Sequence, residues 1–128
     1  MEYQNTAIDN NTLAISPHRP AVLSLAIKER ASLYASYMPF IENGGLFIPT
    51  QKEYSMGDQI YVILQLLTNP KKFSISAKVV WISPAGLSQK MQGIGIQIPS
   101  DASGSELSLF IEQSLGSALS SSRKTHTL

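Results

Sequence analysis

The stretch IYVILQLLTNPKKFSISAKVVWISP, Ile60 to Pro84, decides the fold. Its first eight residues, Ile60 to Leu67, form a β-rich run that is apolar on nearly both faces, which predicts a central strand covered on each side. Asn69-Pro70-Lys71-Lys72 then turns the chain back. Phe73, Ile75, Ala77 and Val79 alternate with Ser74, Ser76 and Lys78 and run on into Trp81-Ile-Ser-Pro84. That period of two is a strand buried on one face, so the stretch reads as a long antiparallel hairpin.

Working outward, the same period recurs on both sides. Leu23, Leu25 and Ile27 alternate with Ser24, Ala26 and Lys28. Leu33, Ala35 and Tyr37 alternate with Ser32, Tyr34 and Ser36, which predicts a second strand with Tyr34 on its outer side. A third strand, Leu46–Ile48, follows the turn Glu42-Asn43-Gly44-Gly45. Met56-Gly57-Asp58 turns the chain into the hairpin. After a polar loop at 85–92, Ile94, Ile96 and Ile98 share one face of a last strand, and Gly93 and Gly95 leave room on the other.

From Asp101 the pattern changes. Ser103-Gly-Ser-Glu106 has capping-box spacing, and Leu107, Phe110, Ile111, Leu115, Ala118 and Leu119 recur at helical spacing. The prediction is mainly β: a small six-stranded antiparallel β-barrel with one C-terminal α-helix packed on it. Residues 1–20 read as a polar, flexible arm, 21–120 as the domain, and 121–128 as a polar tail.

Composition narrows the function classes. The 128 residues carry ten Lys+Arg against nine Asp+Glu, a formal charge of +1, which argues against a nucleic-acid-tracking surface. The absence of cysteine removes disulfides, thiolate ligands and a cysteine nucleophile. The two histidines, His18 and His126, fall in the arm and the tail, away from any Ser or Asp partner at a strand end. No metal-ligand spacing and no Walker or dinucleotide-binding glycine pattern occurs, and turn and helix-end roles account for most of Asp58, Asp101, Glu106 and Glu112. The chain is therefore expected to be non-enzymatic and to hold neither metal nor cofactor. With no apolar run of membrane-spanning length and no secretory pattern, a soluble, cytoplasmic protein is the expectation.

Two features leave a choice open. The Gly44-Gly45 pair is either a hairpin turn or a loop that brings backbone N–H groups to a phosphate. Trp81 has the parity of Phe73, Ile75 and Val79, which makes it a core residue, yet it stands where its strand runs out before Pro84, as an exposed interface anchor would.

The segments AVLSLAIKERASLYASYMPFIENGGLFIP, GDQIYVILQL, AKVVWISPAG and GIGIQI together resemble the PilZ domain family, and within it the stand-alone members of type IV pilus assembly. The resemblance covers about residues 21–119 and extends to the tail RKTHTL. It implies a six-stranded barrel with a C-terminal helix. Many members bind cyclic di-GMP through an RxxxR motif ahead of the barrel and a [D/N]xSxxG motif at the second strand and its turn. With the motif glycine on Gly45, Phe40 stands at the acid or amide position and Glu42 at the serine position, while Arg19 is the only arginine ahead of the barrel. A lost guanidinium fork and an added carboxylate each cost on the order of a few kcal/mol toward a dianionic ligand. The resemblance thus implies a structural Gly-Gly turn and a non-canonical member that does not bind cyclic di-GMP. It further implies an adaptor in pilus biogenesis and twitching motility, recruited to the pilus machine at the inner membrane. The adaptor would bind the pilus extension ATPase (PilB-type) and an EAL-domain cyclic di-GMP regulator (FimX-type). The ATPase-facing residues would be Tyr34 and Trp81, with Pro84 beside Trp81. The alternative is a cyclic di-GMP receptor with a degenerate site. An oligonucleotide-binding barrel lacks the basic groove it would need.

Overall fold

The computed structural model describes residues 21–86, 91–120 and 125–127; the predicted N-terminal arm lies outside them. The expected architecture is present: a mainly β domain built on one six-stranded curled sheet, a half-barrel, with a helix from the C-terminal part packed on it. The strands are β1 (Ala21–Ile27), β2 (Tyr37–Met38), β3 (Gly45–Pro49), β4 (Gln59–Leu66), β5 (Lys72–Ser83) and β6 (Gly93–Gln97). The helices are α1 (Arg30–Ser36) and α2 (Ala102–Leu115), and α2 continues as a 3-10 turn over Gly116–Ser120. The sheet order is β1-β4-β5-β6-β3-β2. Every pairing is antiparallel except β1 with β4, which runs parallel, Ala21 opposite Ile60 to Ile27 opposite Leu66.

The hairpin β4–β5 forms in the expected register, with Val62 opposite Ile75 and Leu64 opposite Phe73. Its two ends are closed by local bonds. The Asn69 side chain accepts from the Lys71 amide, and at the opposite end the Val79 amide donates to the Asp58 carbonyl while the Val79 carbonyl accepts from the Gly57 amide. β4 is central in the sheet but not covered on both faces. Ile60, Val62, Leu64 and Leu66 are buried, whereas Gln59, Tyr61 and Gln65 are exposed. The apolar run concealed an ordinary alternation, and Tyr61 stands 48 % exposed.

The predicted second strand is a helix. Leu33, Tyr34 and Tyr37 are buried together, a spacing of one and four that a helical turn presents to one side. The same residues also fit an alternation, and seven residues are too few to separate the two periods. Only Tyr37–Met38 extends into a strand. As a consequence Tyr34 does not point outward; it is buried, 8 % exposed.

The inner face of the sheet, Leu46, Ile48, Ile60, Val62, Leu64, Ile75, Val79, Ile94 and Ile96, forms one core with Leu33 of α1 and Leu107, Ile111 and Leu115 of α2. Each such side chain contributes about 1.5–3 kcal/mol on leaving water. The helix begins earlier than the capping-box spacing suggested. Asp101 is its N-cap and accepts from the Gly104 amide at 2.9 Å, so the Ser103 box is not the one used. At the other end Arg30 donates from Nε to the Ser114 carbonyl at 2.8 Å and from Nη2 to the Leu115 carbonyl, joining the start of α1 to the last turn of α2.

Candidate functional site: an aromatic face beside the Gly-Gly turn

β5 carries a bulge. Val79 lies opposite Ile96 and Trp81 opposite Gly95, so Val80 is the extra residue. Consecutive residues of β6 face opposite sides of the sheet, and Trp81 is thereby turned from the inner to the outer face. This resolves the choice at Trp81: it is half-buried on the outside of the half-barrel and not a core residue. Its indole Nε1 donates to Ser83 Oγ at 3.0 Å, which fixes the ring orientation. Gly95 is the floor beneath it, since a Cβ there would lie 2.7 Å from the Trp81 Cβ and 2.8 Å from Met38.

Phe40 completes the face. Its ring centroid is 5.7 Å from that of Trp81, tilted by 60°, and Phe40 remains 45 % exposed. Pro84, also exposed, follows on the chain just beyond Ser83, whereas Ile82, opposite Ile94, is directed to the other side of the sheet. The outer surface therefore presents two aromatic rings with an apolar neighbour, a composition that suits a protein contact. Tyr34 belongs to a different neighbourhood. It lines a hollow with Arg30, Ala31, Leu115, Ser117 and Ala118 between α1 and the end of α2.

The turn preceding β3 is spent on folding. Asn43 and Gly44 both have positive φ, 68° and 84°. The Gly44 amide donates to the Ile41 carbonyl at 2.7 Å, and the Gly44 carbonyl accepts from the Ile98 amide. Gly45 admits no side chain, because a Cβ would lie 2.9 Å from the Ile96 carbonyl oxygen. Two side chains pin the turn further: Gln97 Nε2 donates to the Glu42 carbonyl at 3.0 Å, and Ser108 Oγ donates to the Asn43 carbonyl at 3.1 Å. Arg30, the one arginine among the described residues, has its guanidinium on α2 carbonyls.

Between this turn and α2 lies an open groove of about 650 Å³. Glu112, the charged residue among the described ones that line it, accepts from the Tyr37 hydroxyl at 3.2 Å. Burial, followed by the charge and hydrogen bond of Glu112, pushes the Tyr37 phenol up to about 12, so it remains a donor at neutral pH. Sequence reasoning assigned Glu112 to the helix end and placed nothing on Tyr37; the pair forms only because β2 and α2 are brought side by side. The tail also differs from a plain polar segment. The His126 amide donates to the Ala35 carbonyl at 2.9 Å, and its ring lies 5.5 Å from that of Phe47. Among the described residues, no group of three His, Asp or Glu is placed to hold a metal ion, and no helix is long and apolar enough to cross a membrane.

The family model of the PilZ domain matches residues 17–114. This chain belongs to the PilZ family. PilZ domains are non-enzymatic binding domains associated with cyclic di-GMP signalling. In this PilZ domain the Phe40 ring, just before the turn, lies against Trp81 on the outer face. A search of curated proteins gave no significant match.

Proposed function

We propose that this PilZ domain is a non-enzymatic adaptor of type IV pilus biogenesis and twitching motility, binding the pilus extension ATPase (PilB-type) and an EAL-domain cyclic di-GMP regulator (FimX-type) without itself binding cyclic di-GMP. One observation carries the reading: Phe40, at the position where a cyclic di-GMP receptor would place an acid or amide, lies 5.7 Å from Trp81 and enlarges an exposed aromatic face. A ligand-contact position is thereby used for a protein-type surface. Two further facts support it. The Glu42 carboxylate stands at the serine position of the motif, and the guanidinium of Arg30 is occupied by helix carbonyls.

The ATPase-facing surface is then Trp81 with Phe40 and Pro84. Tyr34, buried as it is, contributes at most the edge that lines the hollow by α1. An aromatic anchor of this kind contributes about 2 kcal/mol or more at an interface, so Trp81→Ala should weaken ATPase binding by about 30-fold or more. Titration with the purified ATPase measures this, with circular dichroism of the variant as the folding check. Unchanged affinity in a folded variant would remove Trp81 from the interface. Calorimetric titration with cyclic di-GMP should give no heat up to high micromolar ligand. A stoichiometric isotherm would instead support a receptor with a degenerate site.

A further inference from the structure

The groove between α2 and the β2–β3 turn is an interaction surface distinct from the aromatic face. α2 supplies Ser105, Ser108, Leu109 and Glu112, a set spaced by three and four along one side of the helix; the turn supplies Ile41 and Asn43 from the opposite wall. Three observations define what it can hold. Among the described residues Glu112 is the only charged residue lining it, no described lysine or arginine lines it, and the Glu112 carboxylate accepts from the neutral Tyr37 hydroxyl. The walls are built before any partner arrives, since Ser108 and Ile98 hold the turn through the Asn43 and Gly44 carbonyls. Beside Glu112, Leu109 is 56 % exposed and offers an apolar shelf.

From the charge and these walls we infer that the groove takes an extended protein segment carrying one arginine or lysine between apolar side chains. The cation pairs with Glu112, and the apolar neighbours lie on Leu109 and Ile41. A phosphate or nucleotide is disfavoured, because the groove would set the Glu112 carboxylate against it. The Tyr37 hydroxyl holds one carboxylate oxygen and leaves the other to the incoming donor, a charge-assisted bond about twice as strong as a neutral one. Pro39 and Ile41 line the groove on either side of Phe40 in sequence, so the groove adjoins the aromatic face across a single turn. This inference rests on the adaptor reading only in taking the partner to be a protein.

The test is a titration of the full, isotopically labelled chain with the blocked tripeptide acetyl-Leu-Arg-Leu-amide, followed by amide chemical shifts. Saturable shifts are expected at Asn43, Gly44, Ser108 and Leu109, with binding weaker by about tenfold for Glu112→Gln and for the Leu-Gln-Leu peptide. Raised salt should weaken the arginine peptide and not the glutamine one. Glu112→Gln keeps an acceptor for Tyr37, and an unchanged thermal midpoint shows that it folds; Leu109→Ser, at an exposed position, is the second variant and should also weaken binding. The inference is overturned by any of four results: no saturable shift, shifts indifferent to both substitutions, shifts confined to another face, or concentration-dependent shifts without peptide, which would make a second copy of the chain the occupant. The titration involves neither ATPase nor regulator, so its failure and the failure of the adaptor reading are read separately.

Discussion

Tyr37 shows how much one side chain can report. Its ring is buried, its hydroxyl donates to Glu112, and its pKa is raised from its ordinary 10.0 to about 12. A proton held more tightly in the folded state stabilises folding fully below the unfolded value. That contribution is lost as pH rises from about 10 through about 12, at up to about 1.4 kcal/mol per pH unit. Tyr37→Phe should therefore cost about 1 kcal/mol at neutral pH, where a hydrogen bond is lost. The gap to the parent chain should close as the pH passes 10, read by urea denaturation at stepped pH. Gly95 makes the complementary case. A methyl there would meet Trp81 and Met38 at under 3 Å, so Gly95→Ala should cost about 1–3 kcal/mol through overpacking and shift the Trp81 fluorescence. The residue-level reading of the sequence found Gly93 and Gly95 because a glycine pair in a strand has few other uses. It found no sign of Tyr37–Glu112, two residues 75 positions apart whose meeting depends on the completed sheet.

Among the elements, strands were legible and the short helix was not. β5 announces itself because one face is buried and the other wet over its first eight residues, long enough for a period of two to stand out, while β4 shows by its apolar run and β6 by alternating isoleucine and glycine. α1 failed that test because Leu33 and Tyr37 belong to both periods, and only the burial of Tyr34 distinguishes them. α2 was visible from its stripe, although Asp101 outcompeted Ser103 for the cap, and Leu107→Ala within that stripe should cost about 2–5 kcal/mol by calorimetry. The segment 125–127 was read as surface because its residues are polar; yet Thr127 is 4 % exposed and His126 lies against Phe47. Burial lowers the His126 pKa below its usual 6.5. The docked segment thus contributes a stability that is present above pH 6.5 and lost as pH falls through the lowered value. Exchange protection of the His126 amide, bonded to Ala35, should fall over that acidic range and be insensitive to it in His126→Phe.

Taken whole, the molecule is a curled sheet whose end strands, β1 and β2, do not pair with each other, and α1 and α2 pack into the same core from the open side. Arg30 bonds one helix to the other, so the opening is bridged by side chain to backbone contacts instead of a sixth strand pairing. Leu33, fully buried in α1, belongs to that shared core. Leu33→Ala should lower the unfolding free energy by about 2–5 kcal/mol with an unchanged slope, as expected if sheet and helices unfold together; a reduced slope would mean that the helices leave first. The parallel β1–β4 pairing was outside the reach of local pattern, because an edge strand reads the same whichever way its neighbour runs. The bulge at Val80 was equally silent, and it has a consequence for how this surface is inherited. A single residue gained in β6 opposite Val80 would pair off the extra residue and drive the indole inward, erasing the aromatic face while altering none of its residues. Comparison of relatives by side-chain identity alone would miss such a loss; the residue count of β6 against that of β5 across Val79–Trp81 is the quantity to track.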